Sequence, residues 1–277
     1  TCVQKNMNIL FNKIVSSTLN ISERQVENTI RLLDEGATIP FISRYRKEVT
    51  GALDEVQISN VKEQYDKLRE LEKRKQTIIT TIGEQGKLTP DLRTRLENSW
   101  NAMEIEDIYL PYRPKRRTRA EVAREKGLEP LAKILMIQTE NNLDIKAQAF
   151  VKNDVVDTEE ALKGARDIIA EWISENERAR NMVRSIFRKE AIISSRVVKG
   201  KEEEAAKYRD YFDWSEPLRR CSSHRLLAVR RGESEGFLKV SIEPDSELCI
   251  ERLEGLFVKN ATASAAQVNE AVRDGYK

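Results

Sequence analysis

Apolar residues recur at helical spacing along most of the chain. The first such run extends over residues 9–19, and a second follows in the sequence ISERQVENTIRLLDEGA. Ser22 and Gln25 form a capping-box pattern before the second run, and Gly36 lies where a helix should stop. The residues predicted to face inward in the second run are Val26, Ile30 and Leu33. Two successive helices are therefore predicted.

A short third helix is predicted in the sequence TIPFISRYRKE. Pro40 falls in its first turn, where proline is tolerated because the amide hydrogen that it lacks would have no partner there. Three helices with a glycine-containing turn between the second and third follow the order of a helix-turn-helix unit. Any small helical bundle shows the same order, so the pattern also fits a structural role.

The next segment predicts a long helical arm. From Val56 to about Gln85 there is no proline and no glycine until Gly83, and a helix of that length extends roughly 45 Å. The apolar spacing in this run lapses near Lys75. A partner helix follows, with Thr89 as its cap and Pro90 in its first turn. The residues of the partner predicted to face the arm are Leu92, Leu96 and Trp100.

The rest of the chain predicts further helices and one small β element. A helix is expected from Asp157 or Thr158 through Trp172, and another helical stretch from about Glu175 to the acidic run at 202–204, with Val183, Ile186, Phe187, Ile193 and Val197 inward. Residues 225–244 alternate in short β-like runs around Gly232–Gly236, which predicts a β-hairpin. Two helices close the chain, over Glu247–Phe257 and Ala263–Tyr276.

The predicted fold class is mainly α. It combines a multi-helix scaffold, a helix-turn-helix-like N-terminal unit, a long helical arm and a small β-hairpin near the C-terminus. The predicted domains are residues 1–200, which are helical, and residues 201–277, a transitional region of hairpin and helices.

Composition agrees with solvent-facing helices. Charged residues make up 34% of the 277 residues, above the roughly 25% of an average soluble domain, and glycines number 11. With 48 basic and 46 acidic residues the net charge is +2, so any attraction for nucleic acid must come from a local patch.

Cys2, Cys221 and Cys249 are too few and too widely spaced for a disulfide framework or a zinc pair, which fits a reducing compartment. No apolar run approaches the roughly eighteen residues of a membrane span.

Candidate catalytic groups are scarce in the sequence. His224 is the single histidine, so a two-histidine metal site cannot be built. Ser222 and Cys221 lie beside it, but neighbours in sequence seldom point at one another, so we expect a structural hydrogen bond and not a nucleophile with its base. A nuclease would require clustered acids that the sequence does not indicate. We therefore predict a non-enzyme with no catalytic residue, no metal and no cofactor.

The most conspicuous cationic segment follows two tyrosines. Arg113, Lys115, Arg116, Arg117 and Arg119 are basic, and Tyr109 and Tyr112 precede them in a proline-containing stretch. Arginines on extended backbone can contact phosphates while tyrosines stack on bases. The alternatives are a solubilising loop, or arginines that pair with acids of neighbouring helices.

Two further cationic groups lie on predicted helices. Arg44, Arg46 and Lys47 end the third helix, where they could contact a nucleic acid or could complement a helix C-terminus. Three arginines at positions 180, 184 and 188 share one helix face and repel one another, so an acidic partner surface is expected. That surface could belong to another protein or to the same chain.

Three segments resemble the N-terminal region of the bacterial Tex proteins, the transcription accessory family. They are TIPFISRYRKEVTGALDE (38–55), EDIYLPYRPKRRTRAEVAREKGLEPLA (106–132) and SSHRLLAVRRGESEGFLKVSI (222–242). The family commonly has a proline before the Ser-His-Arg of the third segment, where this chain has Ser222. The resemblance implies a cytoplasmic, largely helical, multidomain protein that continues into a ribonuclease-H-like domain without its catalytic acids, helix-hairpin-helix modules and a C-terminal OB-fold domain that binds RNA.

Residues and resemblance together predict a non-catalytic, nucleic-acid-binding part of a transcription accessory protein. The predicted contacts are Arg113, Lys115, Arg116, Arg117, Arg119, Tyr112, Arg44, Arg46 and Lys47. The expected partner is RNA or DNA, with RNA polymerase or other transcription proteins as further candidates. No membrane contact is expected. The alternative is a protein-interaction module that contacts the transcription machinery and leaves nucleic acid to other domains.

Overall fold

The computed structural model describes residues 2–114, 117–152 and 154–277. The chain folds into two compact units, Thr1–Tyr112 and Arg113–Lys277. Helices dominate both units, and the single small sheet lies in the second, so the predicted mainly α class is confirmed. The sequence boundary proposed at residue 200 falls inside the second unit.

The first unit consists of seven α-helices in the described residues. They are α1 (Cys2–Leu19), α2 (Glu23–Asp34), α3 (Ile39–Tyr45), α4 (Lys47–Thr50), α5 (Glu55–Glu84), α6 (Pro90–Asn98) and α7 (Ala102–Tyr109). A 3₁₀ turn over Leu110–Tyr112 ends the unit. The three helices predicted at the N-terminus are therefore present, whereas the assignment as a DNA-reading helix-turn-helix stays a prediction.

Side chains of polar residues begin most of these helices. The predicted capping box is formed at α2, where the Gln25 amide donates to Ser22 Oγ at 3.2 Å and the Ser22 amide donates to Gln25 Oε1 at 3.0 Å. Asp54 and Gln57 repeat the arrangement at the start of α5. The predicted cap at Thr89 accepts from the Leu92 amide at 3.2 Å. Local sequence thus determines where these helices begin.

Helix α5 serves two separate apolar clusters of the first unit. Its first half packs with α1, α2 and α3 through Ile58, Val61, Tyr65 and Leu68. Its second half contributes Ile78, Ile79 and Ile82 to a cluster with α6 and α7. The end of α6 lies beside Lys75, nine residues before α5 ends, so α6 runs back along α5. The predicted helical arm is confirmed.

Lys75, where the apolar spacing lapsed, is buried between the two clusters. Its side chain is 2% exposed. Its ammonium donates to the carbonyl oxygens of Glu97 at 2.8 Å and Ser99 at 3.3 Å, and it lies 3.6 Å from the centre of the Trp100 ring. Burial lowers the pKa of Lys75, and the nearby Glu72 carboxylate opposes that change. The lysine therefore satisfies backbone carbonyls that the end of α6 leaves unpaired.

The second unit is organised around α11. Its helices are α8 (Arg119–Glu125), α9 (Glu129–Ile137), α10 (Leu143–Gln148), α11 (Thr158–Glu175), α12 (Glu177–Glu190), α13 (Ser223–Ser234), α14 (Ser246–Phe257) and α15 (Ala263–Tyr276). Helix α11 packs against α8, α9 and α15. Its inward residues Ala161, Ala165, Ile168 and Ile169 are almost fully buried in the main core of the unit.

Gln138 joins the end of α9 to the connection between α14 and α15. It is 2% exposed and adopts a left-handed backbone, with φ of 59°. Its side-chain amide donates to the Phe257 carbonyl at 2.7 Å and accepts from the Lys259 amide at 2.8 Å. Its own carbonyl accepts from Asn260 Nδ2 at 3.0 Å and Thr262 Oγ1 at 2.9 Å. One residue therefore ties segments more than a hundred residues apart.

The sheet differs from the predicted hairpin. Strands β1 (Ile192–Val197), β2 (Asp213–Pro217) and β3 (Leu238–Glu243) pair antiparallel in the order β2-β1-β3. The prediction of a helical stretch from 175 to 204 was wrong beyond Glu190, where α12 ends. Ile193 and Ser195 are buried, whereas Ser194 is half-buried and Ile192 and Arg196 are exposed, which is the two-residue alternation of a strand.

The predicted hairpin over residues 225–244 was wrong in its first half, which is α13. The Gly236 amide donates to the Glu233 carbonyl and the Phe237 amide to the Gly232 carbonyl, both at 2.9 Å. These two bonds, with φ of 74° at Gly236, form a Schellman motif that ends a helix. Gly236 is thus a helix terminator, and β3 finds its partner in β1, some forty residues earlier.

Candidate nucleic-acid interface

The end of α3 and the short α4 place the predicted cations Arg44, Arg46 and Lys47 on the surface. The Arg44 side chain is 68% exposed and lies 4.0 Å from the Glu55 carboxylate, the limit of an ion pair. Arg46 lies between the two helices, with its guanidinium 5.4 Å from the centre of the Phe41 ring. Lys47 begins α4 and is exposed. All three cations are therefore accessible to a ligand.

Two aromatic residues on α3 belong to the same patch and were missed at the sequence level. Phe41 and Tyr45 are 41% and 64% exposed, and their ring centres are 5.4 Å apart. Their spacing of four residues on a helix would have placed them on one face. The signal was available, but neither ring was singled out from the sequence.

The cationic segment after α7 leaves the first unit at Tyr112. That ring is half-buried against the cluster of α5, α6 and α7, and its carbonyl accepts from Gln85 Nε2 at 2.8 Å. Tyr109 is 7% exposed, with the Arg74 guanidinium 5.2 Å from its ring centre. The expectation that Tyr109 stacks on bases was therefore wrong, because that ring is part of the core.

Arg113 opens the second unit and is exposed. It has no carboxylate partner among residues 2–114, 117–152 and 154–277. Lys115 and Arg116, two of the predicted contacts, lie outside the described residues. Among the described cations of this segment, Arg113 therefore most clearly keeps a guanidinium available for a phosphate contact.

Arg117 and Arg119 do contact acids of their own chain. Arg117 lies 3.0 Å from the Glu125 carboxylate and Arg119 lies 3.5 Å from Asp167. Both arginine side chains nevertheless remain 73% exposed. Surface pairs of this kind contribute at most ~1 kcal/mol, because water and salt screen them. A polyanion can therefore compete for both guanidinium groups, and the loop and binding interpretations are both still consistent with this geometry.

The start of α8 fixes the end of this segment. Thr118 accepts from the Glu121 amide at 3.1 Å as the helix cap and also contacts Glu171 of α11 at 3.3 Å. Arg124 pairs with the same Glu171, whose side chain is 11% exposed. The backbone is thus anchored at Thr118, and Arg117 and Arg119 project from the positions on either side of it.

The arginine stripe of α12 has partners within the second unit. Arg180 donates to the Ser174 carbonyl at 3.4 Å and Arg184 to Asn181 Oδ1 at 2.7 Å. Beside them, a groove of about 880 Å³ lies between α12, α14 and the end of α15, and Phe187 and Glu247 are among its lining residues. The expected acidic partner surface stays a prediction.

The Cys221–His224 segment leads from a 3₁₀ turn into α13, with Ser222 at the position before the first helical residue. Ser222 Oγ lies 3.4 Å from His224 Nε2 and accepts from Arg225 Nε at 3.1 Å. Burial, followed by the contact with Glu216, raises the pKa of the Cys221 thiol, which keeps it protonated. Within the described part of the chain, no group of three or more histidine, cysteine, aspartate and glutamate side chains could hold a metal ion. Nor does any described helix have the length and apolar character needed to cross a membrane.

Two family models match the sequence of this chain. The Tex-like protein N-terminal domain matches residues 10–83, and the Tex central region-like model matches residues 138–274. Together they cover about three quarters of the chain. The chain belongs to the Tex family. The cationic segment from Arg113 to Arg119 lies between the two matched regions.

Individual relatives agree with this membership. Protein YhgF of Escherichia coli is 47% identical over 87% of this chain and 31% of its own length. Transcriptional accessory protein Tex of Neisseria gonorrhoeae is 45% identical over 84% of the chain and 31% of its own length. S1 RNA-binding domain-containing protein 1 of Homo sapiens is 28% identical over 83% of the chain and 24% of its own length. The chain spans about a third of the length of these bacterial relatives.

Proposed function

We propose that this chain is a non-catalytic, nucleic-acid-binding part of a cytoplasmic transcription accessory protein. Its contacts with phosphate would come from Arg113, Arg117 and Arg119 in the second unit and from the end of α3 in the first. The name of the gonococcal relative supports a role in transcription, and the name of the human relative supports an RNA-binding context for proteins of this family. RNA polymerase or another transcription protein is a further candidate partner.

One observation carries the proposal. The guanidinium groups of Arg113, Arg117 and Arg119 face solvent, although the chain has nearly as many acids as bases. With 46 acids for 48 bases, the chain has carboxylates enough to neutralise almost every cation. Arg117 and Arg119 nevertheless stay 73% exposed beside Glu125 and Asp167, and exposed arginines on anchored backbone match the geometry that phosphate oxygens require.

The test is a titration of this chain with a 12-nucleotide single-stranded RNA and with a 12-base-pair duplex DNA at 50 and 200 mM salt. Each phosphate contact contributes about −0.7 to the slope of log affinity against log salt for a single strand, and about −0.9 for duplex DNA. The double variant Arg113→Glu with Arg117→Glu should therefore flatten the slope by about 1.4 and 1.8 respectively.

A matched control has the same change of charge elsewhere. Arg219 and Arg220 are exposed in a 3₁₀ turn of the second unit, so Arg219→Glu with Arg220→Glu alters net charge equally without touching the segment. If both double variants lost the same affinity, the effect would come from net charge alone and the assigned site would be refuted. Absence of binding at 50 mM salt would refute the proposal and favour the alternative, a protein-interaction module.

The protein-interaction alternative is supported by a different observation. The groove between α12 and α14 is lined by apolar side chains such as Val183, Phe187 and Ile250, beside the charges of Arg180 and Glu247. Grooves of this composition accept protein segments. A chain that binds no oligonucleotide and loses binding to purified RNA polymerase on Phe187→Glu would fit this alternative.

A further inference from the structure

Helix α3 displays an aromatic pair on the surface of the first unit. Phe41 and Tyr45 are 41% and 64% exposed, their ring centres lie 5.4 Å apart, and the ring planes meet at 43°. The opposite face of the helix is buried through Ile42 and Ser43. The helix is therefore held by one face while the two rings project from the other.

These two rings are unlike every other aromatic side chain that the structure describes. Within residues 2–114, 117–152 and 154–277, all remaining phenylalanine, tyrosine and tryptophan side chains are buried or half-buried. Burial of an aromatic side chain usually stabilises a fold, and rings exposed side by side mark a surface that a ligand covers. The two exposed rings of this chain are neighbours, which points to one shared use.

Cations surround the pair. Arg44 is 68% exposed with only Glu55 at 4.0 Å, Arg46 lies over the Phe41 ring at 5.4 Å, and Lys47 follows directly. Glu55 contacts Arg44 at the limit of an ion pair, and the exposed Glu48 follows Lys47 in sequence. Three cations against two acids leave the patch positive, and Arg46 engages Phe41, so Tyr45 is the more accessible ring.

We propose that Phe41 and Tyr45 form a stacking platform for the bases of a single-stranded nucleic acid, with Arg44, Arg46 and Lys47 contacting the adjacent phosphates. Aromatic faces accept any base, but only when the base is unstacked, so the platform selects single strands over duplexes. The inference rests on the proposed function for its class of ligand. It adds base stacking to the phosphate contacts proposed at the end of α3, and it names the part of the nucleic acid that this site reads.

The experiment compares three 12-residue probes at 50 mM salt: oligouridine, an abasic strand with the same phosphates, and a DNA duplex. Loss of one stacked base lowers affinity roughly 5- to 150-fold. We therefore expect oligouridine to bind more tightly than the abasic strand by at least that lower factor. The variant Tyr45→Ala should bring the two strands to equal affinity, whereas Tyr45→Trp should preserve the difference.

A charge variant separates stacking from phosphate contact. Arg44→Gln should weaken oligouridine and the abasic strand by the same factor, because both carry the same phosphates. Tyr45 is mostly exposed, so its variants should unfold at the wild-type temperature, and a circular dichroism melt checks this.

The two proposals fail in different ways. If oligouridine and the abasic strand bind wild-type chain equally, or if Tyr45→Ala leaves their ratio unchanged, the platform is refuted. The proposed function would still stand if Arg113→Glu with Arg117→Glu flattened the salt dependence. If none of the probes binds at 50 mM salt, both proposals fall.

Discussion

Replacement of Gln138 by alanine should destabilise the second unit more than any exposed amide substitution. The side chain spans the end of α9 and the loop after α14, with bonds to the Phe257 carbonyl at 2.7 Å and from the Lys259 amide at 2.8 Å. Alanine and glutamine adopt the left-handed backbone of this position at a similar conformational cost, so the substitution isolates the contribution of the side-chain hydrogen bonds. The two bonds to the Gln138 carbonyl remain possible.

The magnitude follows from these two bonds. Each contributes ~1 kcal/mol net, and each buried group left without a partner costs ~1–3 kcal/mol. Phe257 is half-buried and Lys259 is exposed, so water reaches part of the region. Two such groups give ~2–6 kcal/mol, and because water reaches part of the region we expect the free energy of unfolding of the second unit to fall by about 2–3 kcal/mol, near the lower end.

Urea unfolding followed by circular dichroism measures the loss, and hydrogen exchange of the amides in the loop between α14 and α15 localises it. Gln85 provides the matched control, since its side-chain amide also donates to a backbone carbonyl, that of Tyr112, at 2.8 Å but is exposed. Gln85→Ala should cost less than about 1 kcal/mol, because water replaces the lost partner. If the two variants lost equal stability, burial would not be the source of the Gln138 effect.

Three further perturbations test other features of the fold. Because burial lowers the pKa of Lys75 below 10.5, the unfolded chain holds that proton more tightly than the folded chain. The stability of wild type relative to Lys75→Met should therefore increase in urea titrations as pH rises toward 10.5. A stability difference that does not change with pH would contradict the burial effect. The pKa of Glu235 is lowered to about 2 by the ammonium of Lys207, by the hydroxyl of Tyr208 and then by Arg231. The loss of stability in Glu235→Gln should therefore be complete above pH 4.5 and should vanish as pH falls toward 2, which thermal melts at acid pH measure. A Cβ at Gly232 would lie 2.6 Å from Leu238 Cδ1, so Gly232→Ala should destabilise the fold by ~1–3 kcal/mol in thermal unfolding. A Cβ at Gly255 would meet open space among the described atoms, so Gly255→Ala should stabilise the fold by ~0.5–1 kcal/mol.

Local chemistry explains why much of the helical fold could be predicted. The caps at Ser22, Asp54 and Thr89 form their bonds within three residues, so their signal is complete in a short stretch of sequence. The apolar spacing of α5 on either side of Lys75 likewise needs no distant partner to be recognised. These elements were confirmed within a residue or two of their predicted starts.

The sheet could not be predicted because its pairing is not local. Ile193 and Val197 fit a helical spacing that continues from α12, and only the register with β3 identifies them as strand residues. Gly236 was read as a hairpin turn because glycine with positive φ ends helices and makes turns equally well. Tertiary contacts decided between two readings that the sequence leaves open.

The candidate site shows the same limit. Exposed cations at Arg44, Arg117 and Arg119 were predictable, because charge runs seldom enter a core. Whether a ring is covered depends on the whole fold, so Tyr109 was wrongly expected at the surface and Tyr45 was overlooked. Lys75 shows the reverse case, a cation that the core accepts because carbonyls and Trp100 receive it.

The sheet order has a consequence for synthesis of the chain. β1 is the central strand, but it leaves the ribosome together with β2 and must wait for β3, which lies some forty residues downstream. During that interval Ile193 and its neighbours present one bare edge of backbone amides and carbonyls, to which a second nascent chain could add. A truncated product that ends before Leu238 would keep that edge permanently and should precipitate where the longer chain does not.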